Sequence, residues 1–518
     1  MEKEIASPLT LAKKKENLKQ RAYLNSLTSI IDFAVTQLTG FIVSPFIVSG
    51  LGSSMYGVWQ MLGQMTGYAK IADTRATQVL KWTVAKKKDI ADEEELRSDV
   101  TSAFAITLFI IPLVLVAGGI ASWYAPTITK VELEYYTLIR VTCSLMILSL
   151  VVTKLFDLYE SVLRGMNLSF KRMGLRAGVV AAGGALKVLV LTHGYGLIGL
   201  SVVQVLIAFV IGVTYYITVK KTVSWFGFGK TNFLKIKRFS KISSWYLADT
   251  SANLLLENSD KILLGILAGP VVVTYYTLTL FLPLALQGMI NRIILGIVPG
   301  IGKLLGLEEY DRVQKVIGSI NNITYLFTTA AGVTIIFLNH SFLNAWVGEG
   351  MFAGNIANTL IMVLVVQDTF IKHDSYIISA TLDLREKVIL TVAAGAAFLI
   401  IGYIIVGKLG IIGLCISLLI GKFILLLGQQ RILKRKIQGA LTKSVFERAR
   451  PVVVSLTMLT VAGFLSVQIK ILSLLEMVGL APVVFLATLV VFAALGLTRG
   501  SRKEIFQLLL SIKLLKSD

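Results

Sequence analysis

Gly196-Leu197-Ile198-Gly199-Leu200-Ser201 and Gly410-Ile411-Ile412-Gly413-Leu414-Cys415 are near copies of one turn, 214 residues apart. Each copy joins two long apolar runs. A second echo follows the first run of each half: Leu51-Gly52 precedes Tyr56, and Ala268-Gly269 precedes Tyr275 and Tyr276. The offset equals six apolar runs. Six is even, so both halves enter the membrane in the same direction. Such a parallel repeat is a common transporter plan, with the substrate site between the halves. Gly-rich short turns also recur by chance in membrane proteins, so composition and charge must agree with the reading.

Of the 518 residues, 55% are hydrophobic and 16% charged, and the mean hydropathy is +0.76. A soluble chain carries about a quarter charged residues. Here the apolar runs are roughly twenty residues long, enough for a bilayer core of about 30 Å. In lipid only helices or closed barrels satisfy the backbone, and these runs are too long and continuous for barrel strands. Spans are expected at 27–49, 53–72, 99–122, 136–160, 174–193, 196–219, 243–267, 269–299, 316–338, 356–380, 386–407, 409–430, 450–469 and 477–498. The expected fold class is an all-α integral membrane protein of about 14 transmembrane helices. The segments are a cytoplasmic start at 1–26, six helices in 27–220, a cytoplasmic linker at 221–242 and six helices in 243–431. A second linker at 432–449, two additional helices in 450–498 and a cytoplasmic amphipathic tail at 499–518 complete the chain.

Charge orients the spans. The N-terminus and every second loop after it, with their flanking helix ends, hold 44 of the 51 Lys and Arg residues. The alternate loops hold three, and Arg140, Lys154, Lys187 and Lys261 fall within spans. Both termini are therefore expected in the cytoplasm. The net charge of +21 marks cytoplasmic loops and does not call for nucleic acid. Residues 1–21 are polar and basic and lack a signal peptide's apolar core. Cys143 and Cys415 lie in apolar runs, as packed side chains do.

No catalytic pattern stands out. The longest external loop, about 339–355, holds one carboxylate, Glu349, where a membrane glycosyltransferase or polymerase needs a substantial domain. Gly229-Lys230-Thr231 imitates the end of a phosphate-binding loop, but Ser224 stands where its first glycine is required and no strand precedes it. His193, His340 and His373 have no metal-ligand spacing, so no metal or cofactor is expected. Asn167-Leu168-Ser169 and Asn322-Ile323-Thr324 match glycosylation sequons but fall on the cytoplasmic side. An ATP-driven pump and an enzyme are both disfavoured.

Ionisable groups inside spans cost several kcal/mol unless paired or wet, so their positions are informative. In the seventh span Asn253, Glu257 and Lys261 recur at i, i+4 and i+8, with Asp249 a turn earlier. Glu257 and Lys261 have the spacing of an intrahelical ion pair. The stripe is either a structural lock or the wall of a wet cavity between the first, second, seventh and eighth helices. Other candidates are Asp32, Asp73, Arg75, Lys154, Asp157, Lys187, Arg292, Asp368 and Lys372. Asp73, Arg75, Arg292 and Lys372 sit near cytoplasmic ends, where topology anchors also sit. Deep cations such as Lys154 and Lys187 suggest an anionic group passing through. Trp123, Tyr124, Phe342 and Trp346 suit an interfacial aromatic belt, with stacking on sugars as the alternative.

Gln37, Pro45, Leu51-Gly52 and Tyr56-Gly57-Val58-Trp59 resemble the opening helix pair of Wzx-type polysaccharide flippases. These flippases, which serve O-antigen of lipopolysaccharide, capsule and exopolysaccharide, belong to the multidrug/oligosaccharidyl-lipid/polysaccharide exporter superfamily. Leu163-Arg164-Gly165-Met166-Asn167, the Gly196–Ser201 turn, and Asp260-Lys261 followed by Leu264-Gly265 carry the same resemblance, from about Arg21 to about Arg431. The chain departs from it at Asp73-Thr74-Arg75, where many relatives have a glycine in place of Arg75. The resemblance implies a MATE-like fold: two six-helix bundles around a central cavity, with alternating access and two extra C-terminal helices. It also implies a non-enzymatic flippase of the bacterial inner membrane that moves polyprenyl-pyrophosphate-linked oligosaccharide. Membrane lipids, a polysaccharide polymerase and export machinery are its implied partners. Lys261, Glu257, Asn253, Asp260, Lys187, Lys154, Arg292 and Arg75 are then the cavity candidates. Asp32, Glu257 and Asp260 are the carboxylates open to coupling by a proton or sodium ion. The alternatives are a MATE-type exporter of organic cations, whose cavity would be acidic, a flippase for the peptidoglycan lipid precursor, and a membrane scaffold with every deep charge paired.

Overall fold

The computed structural model describes residues 8–68, 76–87, 92–380, 384–437, 445–468 and 472–503, and among them it contains helices, turns and no strand. Helix α1 runs Pro8–Tyr68 and is followed by the short α2, Ala76–Lys87. Then come α3 (Glu93–Thr129), α4 (Tyr136–Gly165), α5 (Ser169–Thr192) and α6 (Gly196–Thr222). The expected seventh span is two pieces, α7 (Phe233–Glu257) and α8 (Ser259–Ala268). The eighth is also two, α9 (Pro270–Thr279) and α10 (Phe281–Gly306), bent by 49°. The remaining helices are α11 (Tyr310–Val347), α12 (Asn355–Ala380), α13 (Arg385–Lys436), α14 (Val445–Ser466) and α15 (Leu474–Leu495).

Among the described residues nine helices are long and apolar enough to cross a membrane, ten with α9 and α10 taken as one span. Two of the nine are long enough to cross twice, and each bends at a glycine. α1 bends at Gly52 (φ 72°, ψ 167°) and α13 at Gly410 (φ 54°, ψ −127°). L-residues with a Cβ avoid these backbone regions. The duplicated turns repeat the geometry: Gly269 has φ 92° and ψ 161°, like Gly52, and Gly196 has φ 51°, like Gly410. The internal echo is thus one of backbone conformation as well as of letters. The helices α7 and α12, which carry much of the intramembrane charge, are not among the nine.

The chain divides into two compact units, between Thr250 and Ser251. In the first, α1 packs on α5, α4 on α3 and α6, and α2 against α3 and α4. Its core includes Leu80, Val84, Val100, Val162 and Leu163. The start of α7 belongs to this unit because the connection from α6 is fastened to α3. Arg97 Nε donates to the Trp225 carbonyl at 2.8 Å, Gly229 N–H donates to Thr101 at 2.9 Å, and Ser102 and Thr231 hydroxyls lie 2.6 Å apart. The polar groups of Gly229-Lys230-Thr231 are therefore engaged with α3, with Lys230 N–H donating to Glu94 at 3.3 Å. Beneath the strap the fully buried Asp99 carboxylate sits between Lys87 (2.9 Å) and Lys235 (2.7 Å), and Lys87 also pairs with Glu95.

In the second unit α13 packs on α8 and α12, and α10 on α11 and α12. The two additional helices pack on α11. Thr329 on α11 donates to Ser455 on α14 at 2.7 Å, and Asn322 donates to Ser501 beyond α15 at 3.0 Å. A Ser473–Glu476 capping box starts α15. The expected amphipathic tail lies outside the described residues from 504 onward.

Candidate functional site

The densest intramembrane charge network lies in the second unit, halfway along α12. Asp368 accepts from Lys422 of α13 through Oδ1 at 2.7 Å. Its Oδ2 accepts from Gln287 Nε2 of α10 at 2.9 Å and lies 3.1 Å from Lys372, one turn along α12. Lys372 also donates to Gln287 Oε1 at 3.3 Å and approaches Glu257, at the end of α7, at 3.7 Å. Two ammoniums thus share one half-buried carboxylate, and the exposed Glu257 balances the second. On the neighbouring α8 and α9, buried Asp260 accepts from the Tyr276 hydroxyl at 3.0 Å and from Lys261 N–H at 2.7 Å.

The first unit places its ionisable groups along α5. Arg176 pairs with buried Asp32 of α1 at 2.5 Å. Three turns deeper, on the same helical face, is half-buried Lys187. Its ammonium has no hydrogen bond or ion pair with any described residue, in contrast to Lys154, which donates to Asp157 at 3.2 Å. At the end of α3 the Arg140 guanidinium stacks on Trp123, 3.9 Å from the ring centroid. In the second unit Trp346 packs at a tilt against Phe281 and stacks on Phe342, with centroids 4.5 and 5.1 Å apart.

Residues 25–305 match the family described as polysaccharide biosynthesis protein. The chain belongs to that family. Its fold is that of known transporters. A structure titled lipid II flippase MurJ, inward closed conformation, is 14% identical, with a TM-score of 0.67 over 90% of this chain and 99% of its own. An inward-facing multidrug resistance MATE family transporter of the MOP superfamily is 16% identical, with a TM-score of 0.59 over 80% and 99%. The eukaryotic MATE transporter AtDTX14 is 11% identical, with a TM-score of 0.60 over 87% and 99%. No protein of curated function matches the sequence.

Within this family member the seventh span is divided into two helices at Asn258. Asn258 (φ −111°, ψ −8°) caps α8, so Glu257 closes α7 while Lys261 lies in the first turn of α8. The ion pair seen for Glu257 is with Lys372, across to α12. Asn253 and Lys261 are half-buried, and Arg292 is exposed on α10. Arg75 lies outside the described residues. Sequence reasoning missed Lys422, which it counted with the basic run at 431–436, and Gln287, which carries no charge to draw attention. It weighed His373 only as a metal ligand and passed over Asp374, both buried on α12; neither ring nitrogen of His373 finds a partner among the described residues. The signal available for Lys422 was its position nine residues inside the last apolar run before that basic cluster.

Proposed function

We propose that the protein moves a polyprenyl-pyrophosphate-linked oligosaccharide across the bacterial inner membrane by alternating access, for cell-surface polysaccharide biosynthesis. The observation that carries this reading is Lys187. A half-buried ammonium without a partner costs several kcal/mol in a membrane span, and an anionic ligand that visits it relieves that cost. Four of the carboxylates put forward by the sequence are already engaged: Asp32 by Arg176, Asp368 by two lysines and Gln287, Glu257 by Lys372 and Asp260 by Tyr276. Those four carboxylates are therefore less available to an organic cation, which favours an anionic substrate over a multidrug one.

The polyprenol stays in the bilayer while the headgroup crosses, and cations stabilise its pyrophosphate by charge-assisted hydrogen bonds. Outward movement of negative charge gains about 2.3 kcal/mol per charge per 100 mV of inside-negative potential. Asp32 keeps one buried oxygen without a partner among the described residues, an acceptor open to a coupling cation. The test is transport of a fluorescent polyprenyl-pyrophosphate oligosaccharide in proteoliposomes. Lys187→Gln should lose transport at least tenfold with normal insertion and melting, and Lys187→Arg should keep most of it. Wild-type transport by Lys187→Gln refutes the role of Lys187; export of cationic dyes in place of the lipid-linked sugar refutes the substrate class.

A further inference from the structure

A second, more exposed cluster of cations lies where α4 ends and α5 begins. Glu160 of α4 accepts from Arg164 at 2.6 Å and from Arg172 of α5 at 2.8 Å. Arg172 is only 3% exposed, donates to the Tyr215 hydroxyl of α6 at 3.1 Å, and keeps a buried Nε with no hydrogen-bond partner among the described residues. Lys81 of α2 lies near enough for the charges of Arg164, Glu160 and Arg172 all to act on it. The cause of its placement is Gly165: a Cβ there would lie 2.7 Å from Val84 Cβ and 2.9 Å from the Lys81 carbonyl. Only glycine lets α2 press this closely on the end of α4.

The charges do not balance. Three cations surround one carboxylate, and the ammonium of Lys81 has no hydrogen bond or ion pair among the described residues. Burial draws the Lys81 ammonium below the usual lysine range, and the Arg164 charge draws it further, against the opposing pull of Glu160. The first turn of α5 adds to the excess, since it contains no acidic residue and contributes its own positive dipole end. A well-buried Arg fork with a free N–H, beside two more cations and a helix N-terminus, is the chemistry that recognises a phosphate dianion.

We propose that Lys81, Arg164 and Arg172 form a phosphate-binding recess, and that it receives the pyrophosphate of the lipid-linked substrate before the headgroup moves inward along α5. The inference rests on the proposed function. Charge alternation places this end of α4 and α5 at the cytoplasmic face, where such a substrate is loaded. Arg176 and Lys187 continue the cationic face of α5 inward, about 6 and 22 Å from Arg172 at 1.5 Å per residue.

The full-length protein in phosphatidylcholine nanodiscs should bind sodium pyrophosphate saturably by isothermal titration, with sulfate at equal ionic strength as control. Lys81→Gln and Arg164→Gln, at positions exposed enough to keep the fold, should each weaken binding at least tenfold and lower transport of lipid-linked oligosaccharide at limiting substrate. Melting temperatures should stay at the wild-type value. Absence of pyrophosphate binding, or binding that neither variant weakens, overturns the recess. Weakened binding with unaltered transport overturns its role in loading. If phosphatidylglycerol in the nanodisc abolishes pyrophosphate binding, the recess is a phospholipid headgroup site and the inference fails. The Lys187→Gln transport result is independent of all three, so failure of the recess and failure of the flippase reading are distinguishable.

Discussion

Asp368→Asn is the perturbation whose consequence the structure states most directly. The Asp368 and Lys422 side chains are 14% and 15% exposed, and Lys372 is 28% exposed. In the native network the formal charges of Asp368, Glu257, Lys372 and Lys422 cancel. The amide removes one negative charge and leaves two ammoniums facing each other, with only the outer Glu257 to balance them at 3.7 Å from Lys372. Removing one partner of a buried ion pair costs about 3–5 kcal/mol, because the cost is that of the charge left behind. At roughly 2 °C per kcal/mol for a unit of this size, the melting temperature should fall by about 6–10 °C. The assay is thermal unfolding in detergent, followed by loss of monodispersity. The double variant Asp368→Asn/Lys422→Gln restores neutrality with Lys372 and Glu257, and should recover at least half of the loss. A single-variant effect below about 1 kcal/mol, or a double variant no more stable than the single, would falsify the claim that the network is a buried, mutually compensated set.

Three further outcomes follow from local geometry and charge. Gly410→Ala places a Cβ in open space but on a backbone at φ 54°, ψ −127°, so it should cost about 1–3 kcal/mol through strain alone. Gly407→Ala, equally open but without positive φ, should be neutral or mildly stabilising; equal effects at 407 and 410 would contradict this. The Lys87 pairing, through hydrogen bond and charge, lowers the Glu95 carboxyl below its reference of 4.5. Its contribution is therefore present above that value and lost as pH falls through the lower folded one, so the protection factors of the α2 amides at 81–87, corrected for intrinsic exchange, should fall as pH is lowered from 7 through the acid range, and constant protection would count against it. Burial pulls the Lys87 ammonium down, but hydrogen bonds to Glu95 and Asp99 outweigh it and the group ends above its reference of 10.5. That stabilisation holds below 10.5 and is lost only as pH rises through the folded value, so protection of the same amides should be flat from pH 7 to 9; loss of protection there would show that the lysine pairing is not what holds α2 to α3.

The sequence by itself determined the features that depend on few neighbours along the chain. Twenty-residue apolar runs become helices because lipid offers the backbone no other partner. Gly52, Gly196, Gly269 and Gly410 mark reversals and breaks because positive φ is a one-residue property, and the repeat was legible for that reason. The motifs from Gln37 to Leu264-Gly265 were enough to point to the family. The tertiary structure decided which charges meet. Asp368 and Lys422 are 54 residues apart and Asp32 and Arg176 are 144 apart, so no helical period relates them. Glu257 and Lys261, one helical period apart, fall on either side of the helix break at Asn258, and Glu257 meets Lys372 of α12. A side chain's spacing along a helix is set by its own backbone. Its partner is set by the packing of other helices, and in a low-dielectric interior that partner decides whether a charge is a structural lock or remains open to a ligand.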